Sequence, residues 1–268
     1  MSQRIDSKGL RRRSLEMVYG LWQSAAGLQT QEYRQAVIAN NLANVDTPGF
    51  KPDRVTFQER LSAAVAQPSL KAGHSVLDRL TGGLFEAPVY TDFSNASFEP
   101  SQGPLDLAID GDGFFTLRTR EGLRYTRDGR MMMDANGNLV HAATGAAVID
   151  GRGVPIGLDR DSRDPIEING LGQLRQGEND AGRLAIVDFA DRQALQKIGQ
   201  NLFSADGVPQ IEATGSVRQG MIEDSSVEPM TALVEMIEVT RTYEMNARML
   251  SIQDETLGRV VNELGRIG

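Results

Sequence analysis

An α+β protein is predicted, with its N- and C-terminal helices paired as a coiled coil and an antiparallel β domain inserted between them. Three observations predict it. Both ends of the 268-residue chain are long stretches with apolar residues at heptad spacing, proline-free from Met17 to Val45 and again beyond Pro229. The middle is punctuated by Asp-Gly and Asn-Gly pairs with short β-favouring runs between them. Residues 47–100, rich in Ser, Gly, Pro and Asn, have neither pattern and form a connector.

The N-terminal helix is expected over 17–46. Leu21, Leu28 and Leu42 stand at multiples of seven with Gln35 at the vacant position, and Val18, Ala25 and Ala39 supply a companion seam that Glu32 interrupts. Asp46-Thr47-Pro48-Gly49 ends it, because Pro48 disfavours helix at Thr47 and Gly49 permits a turn. The C-terminal helix is expected over 226–268. Ser225-x-x-Glu228 has the form of a capping box, and Pro229 suits a first turn. Met236, Tyr243, Leu250, Leu257 and Leu264 then recur every seven residues. A helix over Pro229–Leu264 is about 54 Å long and needs that stripe covered.

Residues 101–220 form the β domain. Turn pairs occur at 110–111, 112–113, 128–129, 136–137, 144–145, 150–151 and 169–170, separating runs such as Leu105–Ile109, Phe114–Arg118, Leu123–Arg127 and Arg183–Phe189. Met131–Asp134 and Asn138–His141 flank Asn136-Gly137, a strong hairpin signal.

Composition narrows function. A net charge of -8 disfavours a phosphate-dominated nucleic-acid partner. With no Cys and two His there is no thiol nucleophile, no Cys-ligated metal and little material for a His relay. No catalytic, cofactor-binding or metal site can be nominated. Asp110-Gly-Asp112 and Asp134-Ala-Asn136-Gly-Asn138 open like calcium loops, but neither has the sixth-position glycine, only the first has a twelfth-position glutamate, Glu121, and there Phe114 takes a ligand position. A calcium-stabilised, secreted β-domain binding module is the alternative from a different class. Residues 1–16 are basic but are followed by no apolar core of a signal peptide, and no segment is suited to membrane insertion. They are expected to be a disordered tail, or sequence upstream of a start at Met17.

Ala39-Asn40-Asn41-Leu42-Ala43-Asn44-Val45-Asp46-Thr47-Pro48-Gly49-Phe50-Lys51 resembles the N-terminal signature of the bacterial flagellar rod and hook proteins, with Leu21, Gly27 and Leu28 upstream also similar. Leu105–Phe115 and Arg124-Tyr125-Thr126-Arg127-Asp128-Gly129 resemble the β core of that family, and Val227–Ile237 with Arg241–Glu244 its C-terminal helix. These blocks keep the family's order over residues 17–268. The basic stretch before Met17 departs from it.

The resemblance implies a structural, non-enzymatic subunit of the flagellar basal-body rod. Its terminal helices would pair as an inner coiled-coil domain, and the subunits would polymerise helically as part of the drive shaft. It is strongest to the proximal-type rod protein, with the distal rod protein as the alternative. The partners implied are other copies of the chain, other flagellar rod proteins and the flagellar type III export apparatus, without a cleaved signal peptide. Subunit packing is expected to involve Leu21, Leu28, Asn40, Asn41, Leu42, Asn44, Met236, Tyr243, Leu250, Leu257 and Leu264. Phe57-Gln-Glu-Arg-Leu61 matches an export motif of such proteins, carried by Phe57 and Leu61.

Overall fold

The computed structural model describes residues 7–59, 84–86 and 89–264. The chain divides into two compact units, one of residues 1–42, 53–90 and 229–268, the other of residues 43–52 and 91–228.

The first unit holds the two long helices. Helix α1 runs Ser7–Ala43 and helix α2 runs Pro229–Leu264. α1 therefore begins ten residues before the expected start at Met17 and takes in most of the expected basic tail; residues 1–6 lie outside the described residues. α2 begins at Pro229, whose fixed φ is preorganised for a first turn. That start corrects the capping-box reading. Ser225 Oγ instead accepts from Val227 N at 3.3 Å, a local turn upstream of the helix. Thr30, Thr240, Thr242 and Thr256 each donate to the carbonyl four residues back, so β-branched hydroxyls are satisfied inside the helices. A short hairpin-like pair, Phe57–Glu59 with Leu84–Glu86, belongs to the same unit.

The second unit is antiparallel β. Its hub is Phe114–Thr119, which pairs along one edge with Gly122–Thr126 and along the other with both Ala147–Val148 and Ile186–Phe189. From this hub one arm passes through Leu202–Ser204 to Gln196–Gly199, and another through Leu139–His141 to Met131–Met133. Alternation sorts the hub's side chains onto opposite faces. Phe115 and Leu117 enter a core with Leu107, Ile109, Leu139, Val148, Leu174 and Leu184. Phe114 enters a smaller aromatic core with Phe93, Tyr125, Phe189 and Phe203. There, edge-on rings lie at 5.6 Å for Phe93–Phe114 and 4.8 Å for Tyr125–Phe189.

The expected hairpin forms, with Met133 opposite Leu139. Asp134 Oδ1 accepts from the amides of Asn136 and Asn138, both at 2.8 Å, and Gly137 takes φ 82°. The expected run Arg183–Phe189 is two strands, Asn179–Arg183 and Ile186–Phe189. The break falls at Leu184, which bridges to Asp150. The β unit also extends beyond 101–220. Phe98–Pro100 pairs with Met221–Glu223, and residues 43–52 from the end of α1 onward are drawn in.

Candidate functional site: a buried ionic junction and two helix faces

The signature segment after α1 folds back onto the β unit because Gly49 allows it. Gly49 has φ 65°, and a Cβ there would lie 2.5 Å from the carbonyl carbon of Arg127. Its amide donates to Glu223 O at 2.8 Å, and Ser226 N donates to Phe50 O at 3.0 Å. The residues leaving α1 and those leading to α2 are thus laced together inside one unit. Asn201 Nδ2 donates to Pro48 O at 2.8 Å. Lys197 Nζ donates to Lys51 O at 2.6 Å and sits 4.8 Å from the centre of the Phe50 ring.

Lys51 and Glu223 are fully buried at this point, and Arg127 is 1% exposed. Lys51 Nζ donates to Glu223 Oε1 at 2.6 Å, to Ser94 O at 2.7 Å and to Ser226 Oγ at 3.2 Å. Glu223 Oε1 also accepts from Ala96 N at 3.1 Å, while Oε2 lies 3.5 Å from Arg127 Nη1. Arg127 Nη2 donates to Gly111 O at 2.9 Å, and its guanidinium lies 5.3 Å from the Phe114 ring centre. Burial pulls the Lys51 ammonium and the Arg127 guanidinium below their ordinary values, and Glu223 opposes this in both. One carboxylate therefore holds two desolvated cations, and the junction is only as sound as Glu223.

Beside it, Asp128 is 1% exposed, and its carboxylate takes a bidentate grip from Arg130, with Nε at 3.0 Å and Nη2 at 2.7 Å. Fully buried His141 brings Nε2 to 3.2 Å from Asp128 Oδ2 and Nδ1 to 2.9 Å from Thr144 Oγ1. The next residue, Gly129, can carry no side chain, since a Cβ would meet Leu107 O at 1.6 Å. Burial pushes the Asp128 carboxyl upward, but hydrogen bonds from His141 and Arg130 win and hold it below 3.8. The unfolded carboxyl thus binds protons more readily than the folded one. Asp128's stabilisation is fully present above pH 4 or so, and is lost as pH falls through its lower folded value. Wild type should therefore lose thermal stability steeply on acidification below about pH 4, and Asp128→Asn should flatten that slope. Equal acid slopes in the two proteins, measured by circular dichroism melts, would remove Asp128 from the account.

Asp134, Asp150 and Asp188 also lie below the ordinary value. For Asp134 and Asp150 the leading causes are backbone amides, of Asn138 and Val154 respectively. For Asp188, burial raises the value, but the hydrogen bonds of Arg192 more than offset it. A general acid at neutral pH needs the opposite displacement, so these carboxylates suit turn and ion-pair duty. Asp112 and Asp188 share Arg192, at 2.9 and 2.6 Å, and Asp110 pairs with Arg218. Each acid of the two calcium-like sequences that carries such a contact is engaged by the protein itself.

The helix residues sort by exposure. On α1, Leu28, Gln35 and Leu42 are half-buried, as expected for the leucine positions. The companion seam is displaced by one residue: Ala25, Glu32 and Ala39 are exposed, whereas Ser24 and Gln31 are half-buried and Ile38 is buried. On α2, Met236, Leu250 and Leu257 are half-buried, Tyr243 is 38% exposed, and Ala232 and Val239 are buried on the same face. A Cβ built on Gly27 would lie 3.6 Å from Asn246 Nδ2, so the helices approach each other at that level. Leu21 and Leu264 lie on the helices, but their side chains are outside the described residues.

Asn41 acts locally. Its Nδ2 donates to Asp53 O at 2.7 Å and its Oδ1 accepts from Asp53 N at 3.0 Å. Asn44 Oδ1 accepts from Thr47 Oγ1 at 3.2 Å, and Asn40 is exposed. Phe57 lies in the strand Phe57–Glu59, with its side chain outside the described residues, as is the whole of Leu61.

Sequence reasoning did not single out the Lys51–Glu223–Arg127 cluster. Lys51 and Arg127 sit in the motif blocks, but nothing local marks Glu223 as their counter-ion. What the chain offers is a β unit stapled by buried charge where the residues flanking two amphipathic helices meet. That is the anatomy of a structural subunit, a protein that works by packing rather than by turnover.

Comparison with known proteins gives the class its family. Residues 24–51 match the family described as flagella basal body rod protein, 108–175 the flagellar hook protein FlgE/F/G D1 domain, and 218–264 the flagellar basal body rod FlgEFG protein C-terminal. The flagellar basal-body rod protein FlgG of Bacillus subtilis is 32% identical over 262 residues, covering 92% of this chain and 99% of its own length. FlgF of Caulobacter vibrioides is 34% identical over 86% of this chain and 91% of its own length. FlgG of Borreliella burgdorferi is 29% identical over 93% of this chain and its own full length. The chain belongs to the flagellar basal-body rod protein family, whose members are structural proteins and not enzymes. The first and last matched segments contain Lys51 and Glu223, and the middle one contains Arg127.

Proposed function

We propose that the chain is a rod subunit that polymerises helically, its α1 and α2 paired as a coiled coil whose outer faces pack against neighbouring subunits. One observation carries this reading: α2 has two apolar faces. One is the seam of Ala232, Met236, Val239, Leu250 and Leu257, covered in varying degree. The other comprises Met230, Val234, Ile237, Met245, Met249 and Ile252, exposed by 51–73%. At 3.6 residues per turn the two lie almost opposite each other, so a single partner helix covers only one. Contacts between unlike surfaces that do not close into a ring build a helical filament.

The chain's place is the flagellar basal body, and its partners there are other copies of itself and other rod proteins. Export through the flagellar type III apparatus without a cleaved signal, with Phe57 and Leu61 as the recognised pair, completes the proposal. No described helix is long and apolar enough to cross a membrane. A proximal position along the rod follows the sequence resemblance, with a distal one as the alternative. Electron microscopy of basal bodies carrying a labelled copy of this chain tests both the rod assignment and the position.

A further inference from the structure

Resting on the rod-subunit reading, we infer that the exposed apolar stripe of α2 seats against the alanine face of α1 in a second copy of the chain, with Arg241 of one copy opposite Glu32 of the other. The stripe runs through Met230, Val234, Ile237, Met245 and Ile252, at 73, 53, 51, 62 and 63% exposure. Arg241 falls at its centre, at the position where helical spacing calls for a further apolar residue.

α1 offers the complement. Ala25, Gln29, Glu32, Ala36, Ala39 and Ala43 recur at intervals of four, three, four, three and four, and all six are exposed. They make a second heptad face, one residue round from the half-buried seam of Ser24, Leu28, Gln31, Gln35, Ile38 and Leu42. Size is matched across the pair, since methionine, valine and isoleucine knobs need holes and alanines leave them. Charge is matched as well. Glu32 is the one acidic residue in the alanine face, and Arg241 interrupts the apolar stripe, so the pair sets register between copies as a polar seam position does in coiled coils.

The seam facing α1 within the chain includes Asn246 and Gln253, and on α1 it includes Ser24, Gln31 and Gln35. The amide oxygens of Gln31 and Gln253 are buried without a hydrogen-bond partner in the chain. The inner seam is thus incompletely apolar, and the outward stripe leaves α2 a further apolar surface for a contact between copies.

The absence of cysteine makes the test clean. Cells are made to express two full-length single-site variants together, Ala36→Cys and Ile237→Cys, and their basal bodies are oxidised. The expected product is a disulfide joining one copy of each. Crosslinks joining only like variants, crosslinks to a different rod protein, or no crosslink in an otherwise assembled rod, would each overturn the pairing while leaving the rod assignment intact. Absence of the chain from the rod would instead overturn the rod assignment itself.

The charge pair is tested separately. Glu32→Arg and Arg241→Glu, both on exposed surfaces, should each lower incorporation into the rod about tenfold, and the double swap should restore most of it. No recovery in the double swap, with both single variants folded by circular dichroism, would sink the proposed register.

Discussion

Glu223→Ala is expected to cost the protein about 3–5 kcal/mol, because it removes the carboxylate that hydrogen-bonds both buried cations. Lys51 and Glu223 are wholly buried, Arg127 nearly so, and Lys51 Nζ lies 2.6 Å from the carboxylate that would be removed. Truncation at Cβ also takes away the acceptor of Ala96 N and leaves a cavity among buried polar groups. For a domain of this size the loss corresponds to a fall in melting temperature of roughly 10 °C. Glu223→Gln, which keeps an acceptor for Ala96 N but no charge, should fall between wild type and Glu223→Ala. The measurement is a thermal melt followed by near-ultraviolet circular dichroism. A Glu223→Ala protein melting within about 2 °C of wild type would show that the ionic junction contributes nothing measurable.

Removing residues 229–268 is expected to abolish incorporation into the rod while leaving the β unit folded. The reason lies in the partition of the chain: residues 43–52 and 91–228 form their own unit, with both hydrophobic cores and the whole ionic junction inside it. Truncation after Glu228 cuts none of these contacts. It deletes every apolar residue of α2, both the seam and the exposed stripe. The β unit should then melt cooperatively near its full-length temperature, and swimming should be lost. If the truncated protein still entered rods and supported swimming, the helices would not be the polymerising elements.

How much of this was legible in the sequence depended on how local the cause was. The hairpin at Asn136-Gly137 is fixed by residues within one turn and stands where expected, whereas α1 ends at Ala43, three residues before the expected end ahead of Pro48-Gly49. α2 was legible to within three residues of its start: Pro229 suits a first turn, but the capping-box pattern at Ser225 suggests a start at 226. The α1 seam was misread by one position because a seven-residue repeat leaves its companion position open to either neighbour. Glu32 was the available signal. A charged residue in the supposed seam marks the face left exposed within the single chain, and Gln31 and Ile38 are the covered pair.

The ionic junction was illegible for a different reason. Lys51 and Glu223 are 172 residues apart, and their pairing depends on Gly49 turning the chain against Arg127 and on Met221–Glu223 pairing with Phe98–Pro100. No period or spacing encodes that. The same holds for His141, which looked like a strand residue of no consequence and lies within reach of Asp128.

The claim that this chain is a polymerised component of the rod is tested most directly by imaging. Basal bodies would be purified from swimming cells whose only copy of the chain carries a compact label in the exposed β turn at Gly207, and then averaged by electron cryomicroscopy. Extra density repeating helically around the rod is expected, with its axial position showing the proximal or distal segment. Label density confined to the hook, or missing from basal bodies that have complete rods, would contradict it.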